Sequence, residues 1–367
     1  MSDRVFVGTR KGLFRIGRKA QGWRVEDVHF RGVPVSAVLG EPNGKTVHVA
    51  LDHGHFGPKL HRSVDGGATW TERAVPEYPE KPEGLVDIDP MRQRDIPWKL
   101  LHLWCLEHGG VEGRLWAGTL PGGLFRSDDG GESWSLVRPL WDHPGRAKWI
   151  GGGTDWPALH SIVVDPRDPE HVLCGVSCGG VWRTRDGGAS WEQSAHGMRS
   201  DYAPPDQAYI PDSQDVHRLV LCKANPDKLW VQHHNGIFRS VDGSKSWQEI
   251  KQAGPSTFGF PVAVHPKDPD TAWFVPSQKD EERIPVGGRV VVTRTRDGGK
   301  SFDVLTEGLP QEHAYDLVWR HALDVDGSGN RLAFGSTTGS LWISDNQGDS
   351  FAHVSAHLPP IACVRFA

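Results

Sequence analysis

The sequence has few cysteines, no long apolar run and no excess of charge of one sign. Its 5 cysteines are odd in number and lack the paired spacing of a structural metal site, which argues against a disulfide framework and favours a reducing compartment. No apolar segment approaches the length needed to cross a membrane. The formal net charge of -5 at pH 7 offers no basic surface for nucleic acid. An apolar, strand-like segment already begins at residue 5, which leaves no room for a cleavable leader. We therefore expect a cytoplasmic protein that binds neither nucleic acid nor a membrane.

Glycine, proline and tryptophan are abundant, with 44, 27 and 16 residues, as expected for many short strands joined by turns. An eight-residue pattern, S/T-x-D-G-G/S-x-S/T-W/F, recurs along the chain. Its aspartate can close a tight turn by accepting backbone N–H groups, its glycines take positive φ at little cost, and its aromatic ring packs against the core. The copies are residues 63–70, 127–134, 184–191, 240–247, 295–302 and, in a degenerate form, 344–351.

This octet resembles the Asp box of the BNR-repeat β-propellers, a family that includes sialidases, sortilin-type receptors and xyloglucan hydrolases. The resemblance covers nearly the whole chain, because the copies recur in register from one end to the other. It implies an all-β fold in which each octet forms the tip of a β-hairpin.

Each repeat reads as four strands, which is one propeller blade. The octets define six such blades. Residues 5–9 and 12–16 match the second and third strands of a further blade whose first strand is missing, and residues 361–366 form a lone strand at the other end. Pairing the two ends would close the ring and remove its exposed edges. We predict a seven-bladed β-propeller formed by a single domain over residues 1–367, closed by the C-terminal strand joining the N-terminal blade.

Four long loops should lie together on the face of the ring opposite the Asp-box turns. Long loops on a rigid scaffold commonly carry binding or catalytic residues, so we expect the functional site at this loop face. The alternatives are loops that only cover the pore or that contact a second subunit, and the oligomeric state stays open. The loops are residues 75–99, 141–157, 198–215 and 276–289.

Histidines are concentrated near the same face. When the inner strands of three successive blades are aligned on their apolar pattern, His102, His160 and His217 fall at one position. Imidazole is a common ligand of Zn, Fe, Cu and Ni and a general acid or base near neutral pH. We therefore predict a metal site with these three ligands; a metal-free, histidine-lined pocket and purely structural histidines are the alternatives. A second tier is expected in turns between second and third strands, at His53, His55, His233 and His234.

Further candidates come from the loops and from the inner strands. His160, His217 and Asp155 are the predicted catalytic groups, and Trp156 and Tyr315 are predicted to contact the ligand through their rings. A glycosidase needs two carboxylates that flank the scissile bond, for which Asp215 and Asp316 are also available.

Three functions are compatible with these features. The first is an enzyme of hydrolase or lyase type that acts on a small molecule in a histidine-lined central pocket, with or without a metal. The second is a glycoside hydrolase acting on a glycan, and the third is a non-catalytic propeller that binds other proteins. The sequence does not decide whether the protein is catalytic.

Overall fold

The structure, a computed structural model, describes residues 1–367 and consists of seven four-stranded sheets in a ring, with one additional two-stranded hairpin. Every strand pair within a blade is antiparallel, and the strand order follows the chain in six of the blades. The prediction of an all-β, seven-bladed propeller is confirmed.

The strand bounds follow the repeats. The chain begins with β1 (Arg4–Thr9), β2 (Gly12–Lys19) and β3 (Gly22–His29), which belong to the closing blade. Blade 1 contains β4 (Val35–Gly40), β5 (Val47–Asp52), β6 (Pro58–Ser63) and β7 (Thr71–Arg73). The hairpin contains β8 (Ile88–Asp89) and β9 (Arg94–Asp95). Blade 2 contains β10 (His102–His108), β11 (Leu115–Leu120), β12 (Leu124–Ser127) and β13 (Ser135–Leu136). Blade 3 contains β14 (Leu159–Asp165), β15 (Asp168–Val176), β16 (Gly180–Thr184) and β17 (Glu192–Gln193).

The remaining blades are built in the same way. Blade 4 contains β18 (Val216–Cys222), β19 (Asn225–His233), β20 (Gly236–Ser240) and β21 (Gln248–Ile250). Blade 5 contains β22 (Gly259–Val264), β23 (Ala272–Pro276), β24 (Val292–Thr295) and β25 (Asp303–Leu305). Blade 6 contains β26 (Leu323–Val325), β27 (Leu332–Gly335), β28 (Leu341–Ser344) and β29 (Ala352–Ser355). The last strand is β30 (Ile361–Phe366).

Helices are few and short. The α-helix α1 is Arg138–Trp141, and the 3₁₀ turns are Gly54–Phe56, Pro144–Lys148, Pro211–Ser213 and Val286–Gly288. None of these helices has the length and apolar character needed to cross a membrane.

The two ends of the chain close the ring. β30 pairs antiparallel with β1, with Val7 opposite Val364 and Phe6 opposite Arg365, and the closing blade has the order β3-β2-β1-β30. β30 is thus the first strand of a blade whose other three strands come from the N-terminus, as predicted.

The Asp-box turn owes its stability to a single carboxylate. In the first octet, Asp65 Oδ1 accepts the backbone N–H groups of Ala68 and Thr69, each at 2.9 Å, and its Oδ2 accepts the Thr69 hydroxyl at 2.6 Å. The hydroxyl of Ser63 in turn accepts the N–H of Gly67 at 2.8 Å, and Gly67 has φ = 87°, which favours glycine. The contacts of the carboxylate with the N–H and the hydroxyl four residues later recur at Asp129, Asp186, Asp242 and Asp297, so each of these octets folds from local hydrogen bonds.

Large aromatic side chains fill the contacts between blades. The indoles within the second strands of blades 2, 4 and 5 and within the third strand of blade 3 are fully buried or nearly so; they are Trp116, Trp230, Trp273 and Trp182. The octet aromatics are less uniform than the pattern predicts. The buried ones are Trp191, Trp247 and Phe351, and the half-buried ones are Trp70, Trp134 and Phe302.

Candidate functional site

A cavity of about 860 Å³ opens at the loop face, between the first residues of the inner strands. Each of the four long loops contributes to its wall, through Met91, Gly152, Tyr202 and Asp280. The ring therefore sets the width of the cavity, and the loops supply much of its lining.

The inner strands of blades 3 and 4 each contain a β-bulge near the cavity. In β14 the pairing register shifts between Leu159 and Ser161, which leaves His160 as the extra residue, and in β18 it shifts between Val216 and Arg218, which leaves His217. Bulges of this kind bend a strand and re-aim a side chain.

The position of the bulge in blade 2 differs from the one that the predicted alignment of His102 with His160 and His217 requires. In β10 the register shift lies between Leu103 and Cys105, so the residue equivalent to His160 and His217 is Trp104. His102 lies two residues earlier, as the first residue of its strand. The predicted equivalence was wrong because the Leu-His pair in blade 2 resembles that in blade 3 although the backbone register differs.

The structure brings Asp215, His217 and His234 together instead. One ligand atom from each lies within 4.8 Å of the others. Asp215 Oδ2 is 3.7 Å from His217 Nε2 and 3.4 Å from His234 Nδ1. Asp215 and His217 are buried, whereas His234 is half-buried. The predicted trio of His102, His160 and His217 does not form such a group.

The three members of this cluster shift one another's pKa values. Burial alone would raise the pKa of Asp215, but His217 and His234 hold the pKa of its carboxyl well below its usual range. Burial lowers the pKa of His217 despite the neighbouring carboxylate. Burial also opposes protonation of His234, but Asp215 outweighs it and raises the pKa of that imidazole. His234 is therefore the member of the cluster that holds a proton most readily.

Asp280 lies on the other side of the His234 ring, with its Oδ2 3.9 Å from His234 Nε2. Its Oδ1 accepts a hydrogen bond from Arg283 Nε at 3.0 Å, and Arg283 also contacts it through Nη2. His234 is thus placed between two carboxylates, one of which is paired with an arginine.

A second histidine–carboxylate pair lines the same cavity from blades 1 and 2. His102 Nδ1 lies 3.7 Å from Asp52 Oδ2, and both residues contribute to the wall. The His102 imidazole lowers the pKa of Asp52, which favours an ionised carboxylate near neutral pH. Asp52 was not predicted, because nothing in its local sequence distinguishes the carboxyl end of one second strand from another.

Aromatic and cationic side chains complete the cavity. Phe260 stacks on His217 with ring centres 4.6 Å apart, and Trp319 meets Phe260 edge to face at 4.9 Å. Arg320 lies over both Trp104 and Phe260, with its guanidinium carbon 5.7 and 5.3 Å from the ring centres. The sequence analysis did not predict Trp104, Trp319 or Arg320 as site residues. Counting back from the octet of blade 2 would have placed Trp104 near the start of its inner strand.

Two predicted site residues lie behind the cavity wall. His160 is fully buried, with Nδ1 3.2 Å from the Ser161 hydroxyl and no partner for Nε2. His233 is also fully buried, and its Nδ1 accepts the N–H of Asn235 at 3.3 Å. Burial lowers the pKa of both imidazoles, that of His233 to about 3, so both are neutral near pH 7.

Other predicted residues lie outside the cavity lining. His53 and His55 flank Phe56 in and beside a 3₁₀ turn, and their rings contact that phenylalanine. Asp155 is exposed and lies 3.4 Å from Arg94, whose guanidinium also covers the Trp156 ring.

Tyr315 is also outside the cavity, because the inner strand of blade 6 begins later than its sequence pattern indicates. The strand is β26, and the segment that enters the cavity is residues 319–321. Tyr315 is 62% exposed, and the neighbouring Asp316 accepts a hydrogen bond from the Ser336 hydroxyl at 2.7 Å. That contact holds residues 315 and 316 in a loop.

Comparison with known proteins supports the repeat assignment. A family model described as BNR/Asp-box repeat matches residues 125–136, which contain the second octet. An oligoxyloglucan-reducing end-specific xyloglucanase from Emericella nidulans is 24% identical over 280 residues, which are 69% of this chain and 32% of the relative. The Photosystem II assembly lipoprotein Ycf48 from Synechococcus sp. is 21% identical over 337 residues, 90% of this chain and 77% of the relative.

A solved GH74 xyloglucanase from Xanthomonas campestris superposes with a TM-score of 0.61 at 18% identity, covering 98% of this chain and 52% of that one. The chain spans about a third of the length of the xyloglucanase from Emericella nidulans, namely 32%. Together with the repeated octets and the ring, these matches identify the chain as a seven-bladed β-propeller of the BNR/Asp-box repeat type.

Proposed function

We propose that the protein is a glycoside hydrolase that cleaves a saccharide bound in the central cavity. The observation that carries this proposal is the presence of two separate histidine–carboxylate pairs in one cavity, His234 with Asp215 and His102 with Asp52. The sequence relatives named as xyloglucanases support it. Hydrolysis of a glycosidic bond needs a proton donor for the leaving oxygen and a base that activates water.

The two pairs are suited to opposite roles. Asp215 raises the pKa of His234, which fits a group that donates a proton, and His102 lowers the pKa of Asp52, which fits a group that accepts one. In the proposed step the bond between the anomeric carbon and the leaving oxygen breaks as water attacks that carbon. The proton of His234 goes to the leaving oxygen, and a proton of the water goes to Asp52.

The cavity wall also offers flat surfaces for sugar rings. Trp104, Tyr202 and Trp319 line it without being fully buried, and the apolar faces of pyranose rings pack on such surfaces. The volume of about 860 Å³ lies within the range of roughly 300–1,000 Å³ that accommodates small organic ligands. A short saccharide is therefore the substrate class that the cavity fits.

The test is release of reducing ends from xyloglucan oligosaccharides and from a panel of neutral and acidic glycans. Asp52→Asn and His234→Gln should each lower kcat by about 10²–10⁴-fold. Glu281→Gln is the matched control, since Glu281 is exposed and neighbours Asp280 without lining the cavity. Absence of turnover of every glycan by the unaltered protein, or equal activity in all variants, would contradict the proposal.

A divalent transition metal at Asp215, His217 and His234 is a second candidate function, favoured by the proximity of their ligand atoms. Two imidazoles and a carboxylate form a typical donor set for Zn²⁺ or Fe²⁺. The Nδ1 of His217 lies 2.7 Å from the Gly259 carbonyl oxygen, a contact that leaves Nε2 available as a ligand. A bound metal would supply an acidic water or polarise a substrate oxygen.

Elemental analysis after incubation with Zn²⁺ and dialysis tests this candidate. One equivalent is expected in the unaltered protein and none in His217→Ala, whereas His357→Ala should retain it because His357 is exposed and outside the cavity. Failure of the unaltered protein to retain any metal would end this candidate and leave the hydrolase proposal intact. A retained metal would instead exclude His234 as the proton donor, because a metal-bound imidazole nitrogen carries no proton.

A further inference from the structure

Arg320 is the one cavity arginine that is held by aromatic rings and has no acidic partner. Its guanidinium lies over Trp104 and Phe260, 5.7 and 5.3 Å from the ring centres. Its Nε–H is buried and has no hydrogen-bond acceptor. A charged donor without an acceptor is costly when it is buried, so Arg320 has unused hydrogen-bonding capacity.

The carboxylates of the cavity already face other side chains. Asp280 accepts from Arg283 Nε at 3.0 Å, and Asp52 faces His102 at 3.7 Å. The third carboxylate, Asp215, contacts His217 and His234. Asp215 attracts Arg320 electrostatically but does not approach within ion-pairing distance of it.

Two further arginines, Arg283 and Arg10, line the same cavity as Arg320. Arg283 repels it across Phe260, whose ring centre lies 5.5 Å from the Arg283 guanidinium. Arg10 is exposed and lines the same cavity. Three arginines thus balance the three aspartates of the lining, Asp52, Asp215 and Asp280, so the cavity is less acidic than the overall charge of -5 indicates.

Trp104 and Phe260 lie close enough to Arg320 to hold its guanidinium in position. The N–H donors of a guanidinium form a fork that matches the two oxygens of a carboxylate.

We infer that Arg320 is the binding site for an anionic oxygen group of the ligand, with a carboxylate as the best geometric match. Combined with the proposed hydrolase function, on which this refinement of the substrate class rests, the preferred ligand is an acidic saccharide of the uronate type. The binding of the anion itself does not require hydrolysis.

The experiment compares glucose, glucuronate and glucose 6-phosphate as probes, with dissociation constants measured by NMR titration up to millimolar concentrations. Glucuronate should bind the unaltered protein at least about tenfold more tightly than glucose, and the difference should vanish in Arg320→Gln. Arg289→Gln is the matched control, because Arg289 is exposed and outside the cavity. Raising NaCl from 20 to 500 mM should weaken binding of the acidic probes only.

Arg320→Lys keeps the charge but loses the fork, so it should retain part of the preference for an anion and distinguish charge from geometry if the glutamine variant is unstable. Tighter binding of the phosphate than of glucuronate would identify a phosphorylated ligand instead of a carboxylate. Equal binding of glucose and glucuronate, no binding of either anion, or unchanged anion binding in both Arg320 variants would overturn the inference. Anion binding without turnover of any glycan would refute the hydrolase proposal alone.

Discussion

The Nδ1 atom of His217 lies 2.7 Å from the carbonyl oxygen of Gly259, and this contact fixes which edge of the ring faces the cavity cluster. A carbonyl accepts and does not donate, so in the neutral imidazole the proton is on Nδ1 and the lone pair is on Nε2. That lone pair lies 3.7 Å from Asp215 Oδ2. Two electron-rich atoms at this separation favour a proton or a cation between them.

The first prediction separates the metal ligands proposed from the cluster of Asp215, His217 and His234 from those expected from the sequence. His160→Phe should leave zinc stoichiometry unchanged, because His160 is fully buried behind the wall and outside the cluster. It should also leave the free energy of unfolding nearly unchanged, since removal of the orphaned Nε2 offsets loss of the contact between Nδ1 and the Ser161 hydroxyl. His234→Ala should lose the metal. Elemental analysis and urea unfolding provide the measurements, and loss of zinc in His160→Phe would instead support the predicted histidine trio.

The second prediction concerns the proton on His234. Burial lowers the pKa of His234 and Asp215 raises it, so Asp215→Asn should bring the pKa of this imidazole below the ordinary value of about 6.5. In the unaltered protein the imidazolium persists to a pH above that value. In the variant, His234 therefore loses its proton at a lower pH. The alkaline limb of the activity profile should move to lower pH as well.

NMR titration of the His234 ring measures this shift without any substrate. Glu281→Gln should leave the titration unchanged because that carboxylate is 78% exposed and lies outside the cluster. An unaltered or raised His234 pKa in Asp215→Asn would contradict the electrostatic role given to Asp215.

The third prediction concerns the Asp-box turns. Hydrogen bonds from the Ser301 hydroxyl and backbone lower the pKa of Asp297 to about 2, compared with about 3.9 in an unfolded chain. Because the folded value is the lower one, this carboxylate stabilises the fold above about pH 4, and its contribution is lost as the pH falls through about 2. Asp297→Asn should therefore be less stable than the unaltered protein at neutral pH and equally stable near pH 2.

The degenerate sixth octet provides the reciprocal control. Asn346 Oδ1 accepts the N–H of Ser350 at 3.0 Å, and its Nδ2 donates to the Ser350 hydroxyl at 3.0 Å, which shows that asparagine is compatible with the turn. Asn346→Asp should gain stability above about pH 4. Urea unfolding at several pH values tests both variants, and a pH-independent difference would contradict the assigned cause.

The ring could be predicted from the sequence because the Asp-box turn that marks each repeat is formed by local contacts. An octet such as 63–70 contains every donor and acceptor of its own turn, so the repeat is visible without knowledge of distant contacts. The closing blade was predictable because the strand missing at one end is present at the other. The predicted insertions also reach the cavity, through Met91, Gly152, Tyr202 and Asp280.

The candidate site was less predictable because it depends on register and on contacts across blades. A one-residue bulge at Trp104 displaced His102 from its predicted equivalence. His234 and Asp280 meet only because the loop of blade 5 folds back over blade 4. Arg320 lies against rings contributed by blades 2 and 5, and no sequence spacing encodes such a contact.

The last prediction concerns ring closure. Val364 is fully buried in β30, opposite Val7, and its backbone N–H donates to the His321 carbonyl at 2.9 Å, so it joins the closing blade to blade 6. Val364→Ala should lower the free energy of unfolding by about 1–3 kcal/mol through lost burial and the resulting cavity. Val304→Ala, in β25 and 50% exposed, should change it by less than about 0.5 kcal/mol. Chemical unfolding measures both variants. Equal effects would show that the C-terminal strand contributes little to the stability of the ring, because the two substitutions remove the same atoms and differ only in the burial of the site.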